Sequence, residues 1–480
     1  MEIEAIKRLI RGKLPTHSAF QSMCEKTEKY YHVENDILYR PPLGVEDESN
    51  LLHNADNRVP SSFYNLLVDQ KTSYMFTQPP AFDVGNKMAN KKINEILGDE
   101  FAKNCQKLCT NASNCGVAWL HFWKDEDNNF QYGIVNSQEI IPIWSSSLKP
   151  QLLAVLRMYQ KTDESTGEKI DVYEYWTDNE CYSYFKKSED NQWITFTDYP
   201  MFPVYRTTPN FTEFLGNESV LTHSFGEVPF IAFYNNSAHT TDLKPVKGLI
   251  DTYDKTFSGY INDLEDIQEV ILILTGYGGT DLTEFLSDMK KYKSIKIDED
   301  AGQNSGVQTL TIDIPVEARN TLLQLTRKSI FEQGKGIDPD PQNFGNSSGV
   351  ALSYLYSLLE LKAGLTQSEF ELGFARLIRA IGKLEGLPVS NITQTWKRTS
   401  VSNDAEKTDI INKSISVLSE RTLLENHPFV SDAEEELKRL KKQREQEQAE
   451  YDMYKDLNHS VNKFSDEDDD QMNKKEKEDE

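Results

Sequence analysis

From residue 349 to about 385 the chain carries one helical apolar pattern, with Leu352, Leu355, Leu359, Phe370, Phe374, Leu377, Ile381 and Leu384 on it. A continuous α-helix of that length spans roughly 50 Å, more than the width of an ordinary domain. Gly364 and Gly373 are the expected places for a bend. A rod of this kind constrains everything around it. One copy of the chain is poorly equipped to cover all its faces, whereas identical copies packed side by side can do so under closed symmetry.

The segments before the rod are as sharply patterned. Residues 334–348 (GKGIDPDPQNFGNSS) concentrate Gly, Pro, Asn and Asp, which interrupt regular structure, and Ser347 or Ser348 is placed to cap the long helix. Pro315 suits the start of a helix over 316–333, because its missing N–H would lack a partner there anyway. A second stripe begins at Leu249 and runs through Tyr253, Phe257, Tyr260, Leu264, Ile267, Ile271 and Leu274. It predicts one helix of about seven turns, stopped by Tyr277-Gly278-Gly279. Residues 280–292 read as a short helix, and 294–298 and 307–313 as strands.

Residues 1–40 and 58–76 have helical spacing, and a further helix is predicted over 88–112. At Gly116 the texture changes to short runs such as VAWLHFW, LAVLRMYQK and VPFIAFYNN. These predict an antiparallel β region over 116–235, with turns at Asp127-Asn128-Asn129 and Ser165-Thr166-Gly167. Beyond the rod, 392–399 reads as a strand and 404–417 as a helix. Two more helices follow, separated by Pro428, the second opened by a capping box of Ser431 and Glu434. Apolar residues nearly vanish after Asn458, so the acidic end is expected to stay disordered. The fold class is therefore α+β, and 480 residues allow two to four compact domains.

Composition narrows the function by exclusion. Acidic residues outnumber basic ones 77 to 52, a formal charge of −25, which opposes tight binding to phosphate backbones. The most apolar run, 270–274, is far too short to span a membrane. Five cysteines in a chain of this size do not form a disulfide framework. There is no phosphate-binding loop, HExxH, GxSxG or dinucleotide fingerprint. Cys105 and Cys109, with Cys115 and His121 downstream, make a zinc site conceivable, but their spacing fits no common zinc module. The Asp338-Pro-Asp340 pair reads as a turn rather than a cation site. Neither catalysis, a metal nor a cofactor is expected.

Several segments together resemble the portal proteins of tailed bacteriophages, in particular those of siphophages of Gram-positive hosts. They are YYHVENDILYR (30–40), NADNRVPSSFYNLLVDQKTSYMF (54–76), GEVPFIAFYNN with DLKPVKGLIDTYDKTFSGYINDLED (226–266), LTGYGG (274–279), GNSSGVALSYLYSLLELKA (345–363) and LSERTLLENHPFVSDAEEELKRL (418–440). The resemblance implies a ring of twelve copies at one capsid vertex. That ring would be a channel for DNA packaging and ejection and a platform for head-completion connectors. A different ring-forming viral assembly protein without catalytic activity is the alternative.

The resemblance also implies a division of the chain: a wing (1–246), a stem helix (247–275), a clip (276–314), a second stem helix (315–333), a tunnel loop (334–348), the long helix returning to the wing (349–401), a crown (402–457) and an acidic tail (458–480). It places Gly334, Lys335, Gly336, Asp338, Asp340, Gln342, Asn343 and Asn346 in the loop facing the channel, with the glycines letting the loop shift. Lys290, Lys291, Lys293 and Lys296 would sit in the clip, where terminase and adaptor dock. Lys335 and Lys362 would line the channel or a subunit contact. The implied partners are further copies of the chain, the terminase large subunit, the head-completion adaptor, the major capsid and scaffolding proteins, and duplex DNA passing without sequence specificity. No membrane is implied, and assembly would take place in the host cytoplasm before incorporation into the virion. An acidic wall suits such a conduit, since DNA must slide without sticking.

Overall fold

The structure is a computed structural model that describes residues 2–41, 55–163, 166–208, 211–266, 271–275, 306–310, 315–339, 349–398, 404–430 and 433–449. The described residues form two compact units: those up to 339 together with 355–398, and 349–354 together with 404–449.

In the first unit, α1 (Ile3–Tyr31) is followed by a 3-10 turn, Asp36–Tyr39, and α2 (Phe63–Phe76). A short strand, β1 (Ala81–Asp83), leads to α3 (Lys87–Leu97) and α4 (Phe101–Cys115). The single helix predicted over 88–112 is thus two. Gly98, at a φ of 66°, ends α3 by donating its N–H to Asn94, a conformation that glycine adopts at no steric cost. Gly116, also left-handed, ends α4 and sends the chain into β2 (Val117–Lys124).

The β region is antiparallel throughout. β2 lies between β3 (Phe130–Val135) and β12 (Phe230–Tyr234). A larger sheet contains β4 (Ile140–Trp144), β5 (Leu152–Thr162), β6 (Lys169–Trp176) and β7 (Glu180–Lys187), with β8 (Thr197–Asp198) and β11 (Val220–Thr222) both on β7. A separate ribbon pairs β9 (Phe202–Thr208) with β10 (Phe211–Glu218). Ile6 and Ile10 of α1 pack on one face of the larger sheet against Leu156, Tyr173, Tyr184 and Phe196. Trp119, Val155, Trp176 and Phe230 fill the space between the two sheets. The predicted turn at 127–129 connects β2 to β3; of the turn predicted at 165–167, Ser165 lies outside the described residues, and Thr166 and Gly167 stand between β5 and β6.

The segment 247–275 differs from its prediction. α5 is Lys247–Asp266, and Ile271–Thr275 is a strand, β13, paired with β14 (Gly306–Leu310). The stripe misled because residues 270–274 are a consecutive apolar run, which fits a helix period and a strand equally well. α6 (Val316–Gly334) follows Pro315 as expected. The predicted helix at 280–292 and strand at 294–298 lie outside the described residues.

α7 (Gly349–Leu384) is one continuous helix through Gly364 and Gly373. Gly373 has a packing role, because a Cβ there would lie 2.5 Å from the Phe233 ring. Phe370 and Phe374 make tilted and edge-to-face ring contacts with Phe76, Phe82, Phe101 and Phe233, so α7 is the spine on which α2, α4, β1 and β12 meet. β15 (Thr393–Thr395) returns to pair with β1.

The second unit contains α8 (Asp404–Ser414), α9 (Glu420–Glu425) and α10 (residues 433–449). Ser419 caps α9 by accepting from the Thr422 N–H at 3.3 Å. None of the described side chains in this unit is buried, while Ile410, Ile415, Val417, Leu418 and Phe429 are exposed. Ser431, Lys290, Lys291, Lys293, Lys296 and the tail 458–480 lie outside the described residues.

Candidate functional site: the base of the 334–348 segment

α6 ends in a glycine-type C-cap built around a lysine. Lys335 has φ 53° and donates its N–H to Glu332, and Gly336 donates to Phe331 at 2.9 Å. This pair of bonds is the Schellman arrangement, usually made with glycine at the left-handed position. A side chain there costs about 1 kcal/mol. The glycines flank that position because α2 comes too close for any side chain. A Cβ on Gly334 would sit 2.6 Å from Leu67 Cδ1, and one on Gly336 would sit 2.2 Å from Leu67 Cδ2 and 2.9 Å from Gln70 Oε1.

Three polar clamps then hold the next residues. The Gln70 side chain accepts the Ile337 N–H at 2.9 Å and donates to the Ile337 carbonyl at 2.7 Å, as a neighbouring strand would. Arg327 donates to both carboxylate oxygens of Asp338, at 2.6 and 3.2 Å. Lys362 of α7 donates to the Gly334 carbonyl at 3.0 Å, placing a cation at the C-terminal end of α6 where the helix dipole favours it. Below them Tyr30, Tyr64, Leu67, Ile250, Ile330 and Phe331 form one apolar core shared by α1, α2, α5 and α6.

The Lys362 clamp is anchored in a buried charge network. Lys71, wholly buried, donates to Asn235 Oδ1 and Asp242 Oδ2, each at 2.6 Å, and Lys362 Nζ lies 3.3 Å from the same Asp242 oxygen. Asn235 Nδ2 donates to the other Asp242 oxygen at 2.9 Å, and Thr366 donates to the Asn235 carbonyl. Burial alone would push the Asp242 carboxyl up. The Lys362 and Lys71 ammoniums, with the hydrogen bonds from Lys71 and Asn235, outweigh it and hold that carboxyl well below its usual range. Burial pushes Lys362 down, and the Asp242 charge opposes it. Two ammoniums thus share one carboxylate, and the surplus positive charge faces the Gly334 carbonyl. Desolvation makes such a cluster sensitive to the loss of any member.

Four of the sequence-predicted loop residues, Gly334, Lys335, Gly336 and Asp338, therefore lie together at a fixed base, while Asp340, Gln342, Asn343 and Asn346 lie outside the described residues. Gly334 and Gly336 serve close packing, a role different from the freedom of movement expected of them. Lys362 is a correction: at 8% exposure it lines no surface. Sequence reasoning missed Lys71, Gln70, Asn235, Asp242 and Arg327. The available signal was Lys71 itself, a lone charge among the apolar positions of α2. Nothing marked its partners, which lie more than 160 positions away. The cysteines conceived as metal ligands are buried thiols. His121 stacks on Phe230 and hydrogen-bonds the Pro229 carbonyl. Among the described residues no group of three His, Cys, Asp or Glu is placed to hold a metal ion, and no helix is long and apolar enough to cross a membrane.

Residues 13–450 match the family model described as phage portal protein, SPP1 Gp6-like. The chain belongs to this portal family. It is 38% identical over 452 residues to the portal protein of Clostridium phage phiCD119, covering 91% of this chain and 94% of that one. It is 30% identical over 438 residues to the portal protein of Bacillus phage SPP1, covering 88% and 83%. As a portal protein it is a structural component of a phage and not an enzyme, and the α+β fold accords with that membership. The clamped base thus belongs to a portal subunit, at the point where α6 gives way to the segment leading into α7.

Proposed function

We propose that twelve copies of this chain form a ring at one capsid vertex, through which the terminase packages DNA and from which DNA is later ejected. The observation that carries this reading is the portal family match over residues 13–450, with relatives aligned over about nine-tenths of the chain. In this reading residues 1–246 are the wing, α5 and α6 the stem, 276–314 the clip, 334–348 the tunnel loop and 402–457 the crown. The terminase large subunit and the head-completion adaptor dock at the clip, with Lys290, Lys291, Lys293 and Lys296 among the contacts. Major capsid and scaffolding proteins surround the wing during assembly in the host cytoplasm. The net charge of −25 supports a conduit, because an acidic wall keeps duplex DNA from adhering.

The base geometry refines the role of the loop. Residues 334–338 are held by Leu67, Gln70, Arg327 and Lys362, so any displacement driven by moving DNA begins beyond Asp338. Deleting residues 340–346 leaves every clamp in place and is expected to give rings that package DNA poorly. Electron microscopy of the purified variant and a packaging assay test this together. Annular particles with normal packaging would reject the loop's role, and the absence of annular particles from the wild-type protein would reject the ring.

A further inference from the structure

Residues 57–61 form a strap along α5. The Asn57, Val59 and Ser61 N–H groups donate to Asn262 Oδ1 at 2.6 Å, Ser258 Oγ at 3.0 Å and Asp254 Oδ1 at 3.0 Å. Donors two residues apart meet acceptors four residues apart, because two extended residues advance about 6.6 Å and four helical residues about 6 Å. One face of helix side chains thus takes the place of a neighbouring strand.

The three rungs are unequal. Asp254 and Ser258 are 1% and 2% exposed, and Asp254 Oδ2 also accepts from the buried Asn35 side chain at 2.6 Å. Asn262 is half-buried, and beside it Asn57 Nδ2 donates to the exposed Glu265 at 2.5 Å. This change coincides with a boundary in both helices. Among the described side chains, α5 buries Ile250, Asp254 and Ser258 but none after Ser258. α6 buries Thr326, Ile330 and Phe331 but none before Thr326. Residues 259–265 and 316–325 therefore make an arm outside the core. Arg319 joins its two halves, bonding Asp263 and lying over the Tyr260 ring.

The boundary falls at Ser258-Gly259 on α5. Serine beside glycine is one of the few sequences at which helices bend sharply. A Cβ on Gly259 would have nothing within 4 Å, so close packing does not account for this glycine. On α6 the boundary falls at Thr326, whose hydroxyl donates to the Leu322 carbonyl at 2.8 Å, a bond that often bends helices.

We propose that the arm hinges at Ser258-Gly259 and Thr326, and that the Asn57 rung is the latch that holds it to the strap. The arm tilts as one piece through Arg319, while the Asp254 rung and the apolar core keep the other ends of both helices in place. Tilting therefore stops short of the clamped loop base at the end of α6. On the reading above the arm leads into the docking segment 276–314, so a partner bound there would move it without disturbing the clamps. That consequence rests on the portal reading; the hinge does not.

Hydrogen exchange of the purified protein tests the hinge. The Asn57 amide is expected to be protected about tenfold less than the Ser61 amide, and α5 amides 263–265 less than 251–254. Gly259→Ala meets no neighbour, stiffens the hinge and should raise Asn57 protection about fivefold, the preference of a helix for alanine over glycine. Asn262→Ala removes the latch acceptor and should lower protection over 263–265 while leaving 251–254 unchanged. Equal protection at Asn57 and Ser61 in the wild type would overturn the hinge. So would an unchanged Asn57 amide in Gly259→Ala, or a loss spread evenly over α5 in Asn262→Ala. Each of these results leaves the portal reading intact.

Discussion

Gly336→Ala tests whether the base of the loop is set by close packing or by freedom of movement. The added methyl would lie 2.2 Å from Leu67 Cδ2 and 2.9 Å from Gln70 Oε1, the acceptor of the Ile337 N–H. Overpacking of this kind costs about 1–3 kcal/mol, offset by about 0.4–1 kcal/mol from the stiffer unfolded chain. The net is about 1–2 kcal/mol, or roughly five- to thirtyfold in an opening equilibrium. Leu67→Ala alone removes buried methyls at about 2–5 kcal/mol, but it vacates the volume that the Gly336→Ala methyl needs. In that background Gly336→Ala should be neutral or slightly stabilising, so the two changes couple by about 1–3 kcal/mol. Hydrogen exchange of the Gly336 and Ile337 amides reads local opening directly, since both are hydrogen-bonded in the clamp. Protection should fall in each single variant, and the double variant should be far better protected than the product of the two losses. Unchanged protection in Gly336→Ala, or strictly multiplicative effects, would refute the packing argument.

Two further outcomes are expected. Asp242→Asn leaves the Lys71 and Lys362 ammoniums buried without their shared carboxylate, costing about 3–5 kcal/mol; adding Lys362→Met should recover part of the loss in urea midpoint, and no recovery would mean that the lysines do not repel each other. Burial lowers His121 to about 4, against a Pro229 hydrogen bond that raises it, so between pH 6.5 and 4 the unfolded chain takes up a proton that the folded chain refuses. His121 therefore contributes nothing to pH dependence above about 6.5 and removes up to about 3 kcal/mol as the pH falls to 4. Glu28, Glu227 and Asp254, raised by burial, act in the opposite direction. The readout is accordingly the difference between wild type and His121→Phe, whose relative stability should grow from pH 7 to 4.5, the Pro229 carbonyl keeping its bond from the Phe122 N–H. A difference that stays flat with pH would contradict the burial argument.

Much of the molecule was legible without coordinates wherever a single period ruled. α6 and α7 fall within a residue or two of their predicted limits, because long amphipathic patterns and Pro315 leave little choice. The antiparallel region between β2 and β12 follows from its alternating aromatic and β-branched runs. Reading failed where one stretch satisfied two periods, as at β13, where a left-handed glycine broke one helix in two, as at Gly98, or where a glycine's role depends on an unseen neighbour, as at Gly334 and Gly336.

The sequence by itself determined the outline: one long apolar-patterned helix, a β region between helices, an acidic balance and no catalytic motif. Each of these is a local or summed property, readable along the chain. Only the tertiary structure decided what the loop base is made of. Lys71, Asp242 and Lys362 are remote in sequence, and nothing along the chain marks them as partners. Folding removes them from water, and a desolvated ammonium is stable only beside its carboxylate and carbonyl partners, so their meaning arises from contact and not from order.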